Sequence, residues 1–216
     1  MIERRTVVRG RTDDPVARLE TVVEGAQPSR FSHGMWGAIM FISSEAMFFG
    51  ALFTAYFYLR GRLAAWEPVF ERCVEECEKP TWTGLPLINT VILVSSSVTM
   101  QLAVMAIGRG NRQALRGWLA ITLVMGLVFL SGQAWEYTRL GFLPQNGIFA
   151  AVFYTLTGFH GLHVLGGVLF IGLCLFRSLR GQFSQARHLA VEAASIYWHF
   201  VDVVWIGLFT TIYVIG

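Results

Sequence analysis

Polar and apolar positions do not alternate along this chain. They separate into long blocks. Met35–Leu59 carries one charge, Glu45, and Gly84–Ile107 carries none. Trp118–Trp135 is also free of charge, and Glu136 follows at once. Gly147–Phe176 is the longest block, with no formal charge but two histidines, His160 and His163. Leu189–Gly216 carries Glu192, His199 and Asp202. A helix needs roughly 20 apolar residues to cross the hydrocarbon core of a bilayer, and every block meets or comes close to that length. Backbone polar groups in lipid must be satisfied within the segment, so continuous runs of this length predict helices. A membrane β-barrel would show alternating segments of roughly ten residues instead. The pattern predicts an all-α integral membrane protein, a bundle of five transmembrane helices at about 34–59, 84–107, 117–137, 147–177 and 189–216. The fourth window would be about 45 Å long as a straight helix, so it must tilt or protrude.

Composition agrees with the blocks. The 216 residues are 54% hydrophobic and only 14% charged, with a mean hydropathy of +0.53. A water-soluble chain of this size could not bury so much apolar surface in one core. An ordinary soluble enzyme, a disordered protein, a disulfide scaffold and a nucleic-acid binder are excluded. The net charge of +3 comes from bases at membrane edges. The tail, residues 1–33, holds six arginines and five acids. It has no apolar stretch of a secretory signal, and its acids argue against a transit peptide. It reads as a solvated cytoplasmic tail. Twelve arginines fall in the tail and in the linkers after the second and fourth spans, against five bases in the first and third linkers. The excess of bases marks the cytoplasmic side. This predicts a cytoplasmic N-terminus and a C-terminus outside.

Cys73 and Cys77 lie in the first outer linker. A disulfide, two free thiols and a metal pair all fit that spacing. The remaining candidates are ionisable groups at membrane depth, which are costly and face a bundle interior or water. Glu45 sits near mid-bilayer, where a proton relay and a plain hydrogen-bonding role fit equally. His160 and His163 are i, i+3 neighbours. Glu192, His199 and Asp202 share a broad face of the last helix, and Glu136 ends the third. Together they suit an interhelical polar network better than a metal site. The bundle di-metal proteins use Glu-x-x-His motifs, and none occurs here. There is no phosphate-binding loop, nucleophile elbow or haem attachment motif.

Five segments carry a resemblance. Phe41-Ile-Ser-Ser-Glu45-Ala-Met-Phe-Phe49 resembles the glutamate helix of haem–copper oxidase subunit III. Leu87-Ile-Asn-Thr90 with Ser97-Val-Thr99 resembles that family's next helix, and Gln133-Ala-Trp-Glu136-Tyr137 its following segment. Gly147-Ile-Phe and Thr157-Gly-Phe-His160-Gly-Leu-His163-Val164 are close to its most diagnostic stretch. Glu192-Ala-Ala and Tyr197-Trp-His199-Phe-Val-Asp202-Val-Val-Trp205 are similar to its C-terminal signature. The match runs in order from about Gly34 to Gly216.

This resemblance implies an accessory subunit of an aerobic terminal oxidase, here in a five-helix prokaryotic form that lacks the first two helices of the seven-helix mitochondrial one. It implies a multi-pass protein of the prokaryotic inner membrane that binds no redox cofactor. Haem and copper would lie in subunit I, the main partner, with subunit II and other respiratory subunits alongside. The chain would stabilise subunit I and support proton uptake through the buried carboxylate Glu45. Glu136, His160, His163, Glu192, His199 and Asp202 would form the polar network, and phospholipids would occupy a helix cleft. The Cys73–Cys77 segment matches no family motif. Cytochrome c is the expected electron donor; the alternatives within the family are a quinol oxidase and a nitric-oxide-reductase-associated homologue. Outside it, a transporter or proton channel and a metalloenzyme using His160, His163 and His199 are the competing readings.

Overall fold

The computed structural model describes residues 33–62 and 83–215. The tail up to residue 32, and Cys73 and Cys77 with most of their linker, lie outside the described residues. Five long helices make up almost everything else: α1 (His33–Arg62), α2 (Leu85–Gly108), α3 (Arg112–Arg139), α4 (Ile148–Leu179) and α5 (Leu189–Phe209). α5 continues into a wide π turn, Thr210–Val214. All five are long and apolar enough to cross a membrane. The chain is a multi-pass membrane protein.

The ends of the helices follow from local chemistry. Pro86 sits in the first turn of α2, where its missing N–H costs nothing. The α2–α3 turn is tight because Gly110 takes a left-handed φ of 76°, and the Asn111 side chain accepts from Ala114 N at 3.0 Å to cap α3. α3 begins and ends on arginines beyond the apolar window, since long basic side chains can reach the interface from within a helix. The 32 residues of α4 span about 48 Å at 1.5 Å per residue, and Arg177 lies in its last turn.

α2, α3, α4 and α5 pack as a closed ring, while α1 rests mainly on the outside of α5 and α4. The difference is large. Only 6% of the most apolar stretch of α1 is buried, against 44% for α5. Small residues let the ring close. A Cβ on Gly126 would come within 2.8 Å of Trp198 and Val168, and one on Gly167 within 2.7 Å of Trp198. Trp198 is fully buried there, and its Nε1–H donates to Ser96 Oγ at 2.8 Å.

The two ends of the bundle are distinct. At one end the α2–α3 and α4–α5 turns meet: Gln185 donates to the Gly108 carbonyl at 2.8 Å and Arg116 to the Ser178 carbonyl at 3.2 Å. At the other, Arg60 of α1 donates to the Ile215 carbonyl at 3.0 Å and Tyr56 to the Thr211 carbonyl at 3.2 Å, tying α1 to the end of α5.

Candidate functional site

Three of the polar contacts between helices at membrane depth involve the ionisable residues singled out by the sequence. The first ties α1 to the ring. Glu45 Oε2 lies 2.9 Å from His163 Nε2, across 118 positions of sequence. Phe48 and Phe49 of α1 flank the imidazole. His163 Nδ1 lies 2.7 Å from the Phe159 carbonyl. A carbonyl only accepts, so Nδ1 carries a hydrogen. Nε2 must then either accept from a protonated Glu45 or donate as part of an imidazolium. One proton is therefore shared between a carboxyl and an imidazole. The pair is only partly buried, with Glu45 at 22% and His163 at 16% side-chain exposure.

The second contact joins α2 to α5. Ser97 Oγ donates to Asp202 Oδ2 and lies 2.9 Å from His199 Nδ1. The hydroxyl has a single proton, so with that proton on Asp202 the imidazole donates to Ser97. His199 Nε2 lies 3.4 Å from Gln101 Oε1. Asp202 is buried, and its other oxygen has no hydrogen-bond partner among the described residues.

The third joins α3 to the end of α5. Tyr213 donates to Glu136 Oε1 at 2.9 Å, both groups buried. Close by, Tyr137 and Thr157 share a 2.8 Å hydrogen bond between α3 and α4. Trp205 Nε1–H donates to Thr90 Oγ1 at 2.9 Å, joining α5 to α2.

The expected site residues thus separate. His163 turns to Glu45 on α1. His160, three residues earlier, turns to the ring interior, stacked on Trp205 at 4.9 Å and edge-on to Phe129 at 5.9 Å. Its placement rests on ring packing, since neither nitrogen has a hydrogen-bond partner among the described residues. Glu192 corrects the expectation of an interhelical role. Its carboxylate pairs with His188, four residues earlier, at 3.1 Å. It lies in the first turn of α5, at the edge of the bundle, where the adjacent turn supplies the His188 imidazole. His160, His163 and His199 each face a different neighbour. Among the described residues no three of His, Cys, Asp or Glu converge in a way that could hold a metal ion. Cys174 is buried and free.

Sequence reasoning missed several partners. Ser97 stood in a quoted motif without a role, although a hydroxyl one helix away is a natural ligand for a buried Asp. Asn89 and Gln133 also stood in quoted motifs, and both are buried. Tyr213 gave no signal, because its pairing depends on how α5 ends.

A groove of about 410 Å³ opens beside the Glu45–His163 pair, lined by Ala38, Phe41 and Ile42 of α1, Gly166 and Phe170 of α4, and Ala193 and Tyr197 of α5. Its walls are almost wholly apolar. Tyr197 donates to the His163 carbonyl at 3.1 Å, which fixes one wall to the same helix turn.

A family model described as cytochrome c oxidase subunit III matches residues 16–216. The chain is 44% identical to cytochrome c oxidase subunit 3 of Thermostichus vulcanus, over 83% of this chain and 86% of that protein. It is 43% identical to cytochrome c oxidase subunit 3 of a Synechocystis strain, over 84% and 75%. It is also 43% identical to a probable cytochrome c oxidase subunit 3 of Nocardia farcinica, over 82% and 85%.

Proposed function

Because the chain belongs to the cytochrome c oxidase subunit III family, we propose that this subunit packs on the haem- and copper-bearing subunit of its oxidase, stabilises it and supports its proton uptake. The chain is a subunit of the oxidase complex. Electrons come from cytochrome c and reach oxygen in the partner. Subunit II and the other subunits complete the assembly.

The observation that carries the proton role is the Glu45–His163 pair. A carboxyl and an imidazole sharing one proton can pass it on with little movement of either side chain. The pair lies at the edge of the ring, where α4 meets α1, the helix least covered by the other described residues. A surface so little buried is suited to a protein partner in the membrane. Its large exposed side chains, Met40, Met47, Phe57 and Tyr58 among them, supply apolar area for that contact. The apolar lining of the groove between α1, α4 and α5 suits a lipid acyl chain. The arginine count supports a cytoplasmic N-terminus in a prokaryotic inner membrane.

The experiment is purification through a tag on this chain in mild detergent, followed by an absorption spectrum and identification of the subunits. A co-purifying haem- and copper-bearing subunit is the expected result, together with a cupredoxin-type subunit II if cytochrome c is the donor. A complex without that copper domain points to a quinol donor. A single haem-free chain, from membranes that contain oxidase, overturns the reading in favour of an independent transporter.

A further inference from the structure

In the half of the bundle where α2 and α4 begin, four helices meet around Trp205 and Tyr213. Trp205 bonds Thr90 of α2 and stacks on His160 of α4. Phe129 of α3 closes edge-on against both rings. Tyr213 bonds Glu136 of α3, 6.5 Å from the Trp205 ring. Gln133 lies on the same face of α3, one turn from each of Phe129 and Glu136, and faces the hydroxyls of Tyr137 and Tyr213. Asn89 of α2 presses against Gly132, where a Cβ would collide with its amide.

This cluster concentrates unmatched polar atoms. Among the described residues eight buried side-chain nitrogens and oxygens make no hydrogen bond of normal geometry within the protein, and six of them are here: Asn89 Nδ2, both amide atoms of Gln133, Glu136 Oε2 and both ring nitrogens of His160. The four residues are between 1% and 7% exposed. Buried polar atoms are normally matched, by protein or by ordered water. So many orphans on four residues cannot be ascribed to one misplaced rotamer.

The chemistry of the six atoms identifies the ligand. The Asn89 and Gln133 amide nitrogens donate. The Gln133 carbonyl and Glu136 Oε2 accept. A neutral imidazole adds one donor and one acceptor whichever tautomer it adopts. A metal ion would need acceptors only and an anion donors only. Water is both donor and acceptor, and internal waters typically bond about three such groups. We propose that Asn89, Gln133, Glu136 and His160 bind a small cluster of internal water molecules inside the helix ring. The groups that hold the water surround the Trp205–His160 stack, separate from the Glu45–His163 pair. It does not depend on the identity of the electron donor.

Pulsed hydroxyl-radical footprinting of the purified oxidase complex tests this, because radicals formed from a bound water modify the ring beside it. Trp205 and Trp198 make an internal comparison. Both lie on α5, both are fully buried, and both indoles are hydrogen-bonded. Only Trp205 adjoins the cluster. The expected result is modification of Trp205 several-fold faster than Trp198. Equal rates would overturn the proposal, and need no variant. In Gln133→Leu and Asn89→Leu complexes, matched for yield and haem spectrum, Trp205 should fall towards the Trp198 rate. Retention of the fast rate in both would show that these amides do not hold the water.

Discussion

The Glu45–His163 pair and the cluster of Asn89, Gln133, Glu136 and His160 draw on the same kinds of side chain, yet they solve opposite problems. The pair joins the outer helix α1 to α4 of the ring, part exposed, and supplies its own partners: Glu45 has the imidazole, and the imidazole has both Glu45 and the Phe159 carbonyl. The cluster sits inside the ring, almost fully buried, with six atoms unmatched by the protein. Burial and hydrogen-bond satisfaction therefore run in opposite directions between these two sites. The interior groups depend on neighbours that close packing must admit. Asp202 lies between these extremes, with one oxygen bonded and one not.

The sharpest way to break the contrast is to disturb the packing that holds the interior. Gly126→Val places new atoms against the Trp198 ring and Val168, neither of which can retreat. Overpacking of this kind costs about 1–3 kcal/mol, and the upper end is expected here because a fully buried aromatic blocks relaxation. The measurement is the yield of intact complex and the chain's resistance to thermal unfolding in detergent. Asp202→Leu is expected to rank next. It removes the carboxylate that Ser97 donates to and leaves the Ser97–His199 bond to join α2 and α5 at this point, and a lost hydrogen bond of this kind costs about 0.5–1.5 kcal/mol. Normal complex yield in that variant would show that the α2–α5 contact is not what fixes helix order. Glu136→Gln should be milder. The amide oxygen still accepts from Tyr213, so a loss below about 1 kcal/mol is expected by the same reckoning, read as a small shift in the unfolding midpoint.

What the sequence discloses follows the range of the interaction. The five spans are legible because crossing a bilayer demands long apolar runs, and each run carries its own signal. The sites are legible only as a roster. Glu45 shows no partner within its own helix because His163 is 118 positions away. The i, i+3 spacing of His160 and His163 suggests one face, yet positions so spaced do not point in the same direction around the helix axis. That divergence is enough to send one ring to α1 and the other to Trp205. Glu192 looks like a network member by its position on α5, but the fold of the preceding turn brings His188 to it first. The polar amides Asn89 and Gln133 carry no charge, so a search for ionisable groups in lipid passes over them.

Glu45→Gln should have the smallest structural effect and is the most informative about function. The substituted amide keeps the shape of the carboxyl and can donate to His163 Nε2, while Nδ1 continues to donate to the Phe159 carbonyl. Stability should stay within about 0.5 kcal/mol of the unsubstituted chain, as for replacements that disturb no packing or buried network. The shared proton is another matter, because an amide cannot release it. If the pair takes part in proton uptake, pumping or the number of turnovers before inactivation falls modestly while the haem spectrum and complex yield are unchanged. If both stay at the unsubstituted level, the pair is a structural tie between α1 and α4. In that case His163→Phe, which removes the tie but keeps the aromatic packing against Phe48 and Phe49, should loosen α1 and lower complex yield instead.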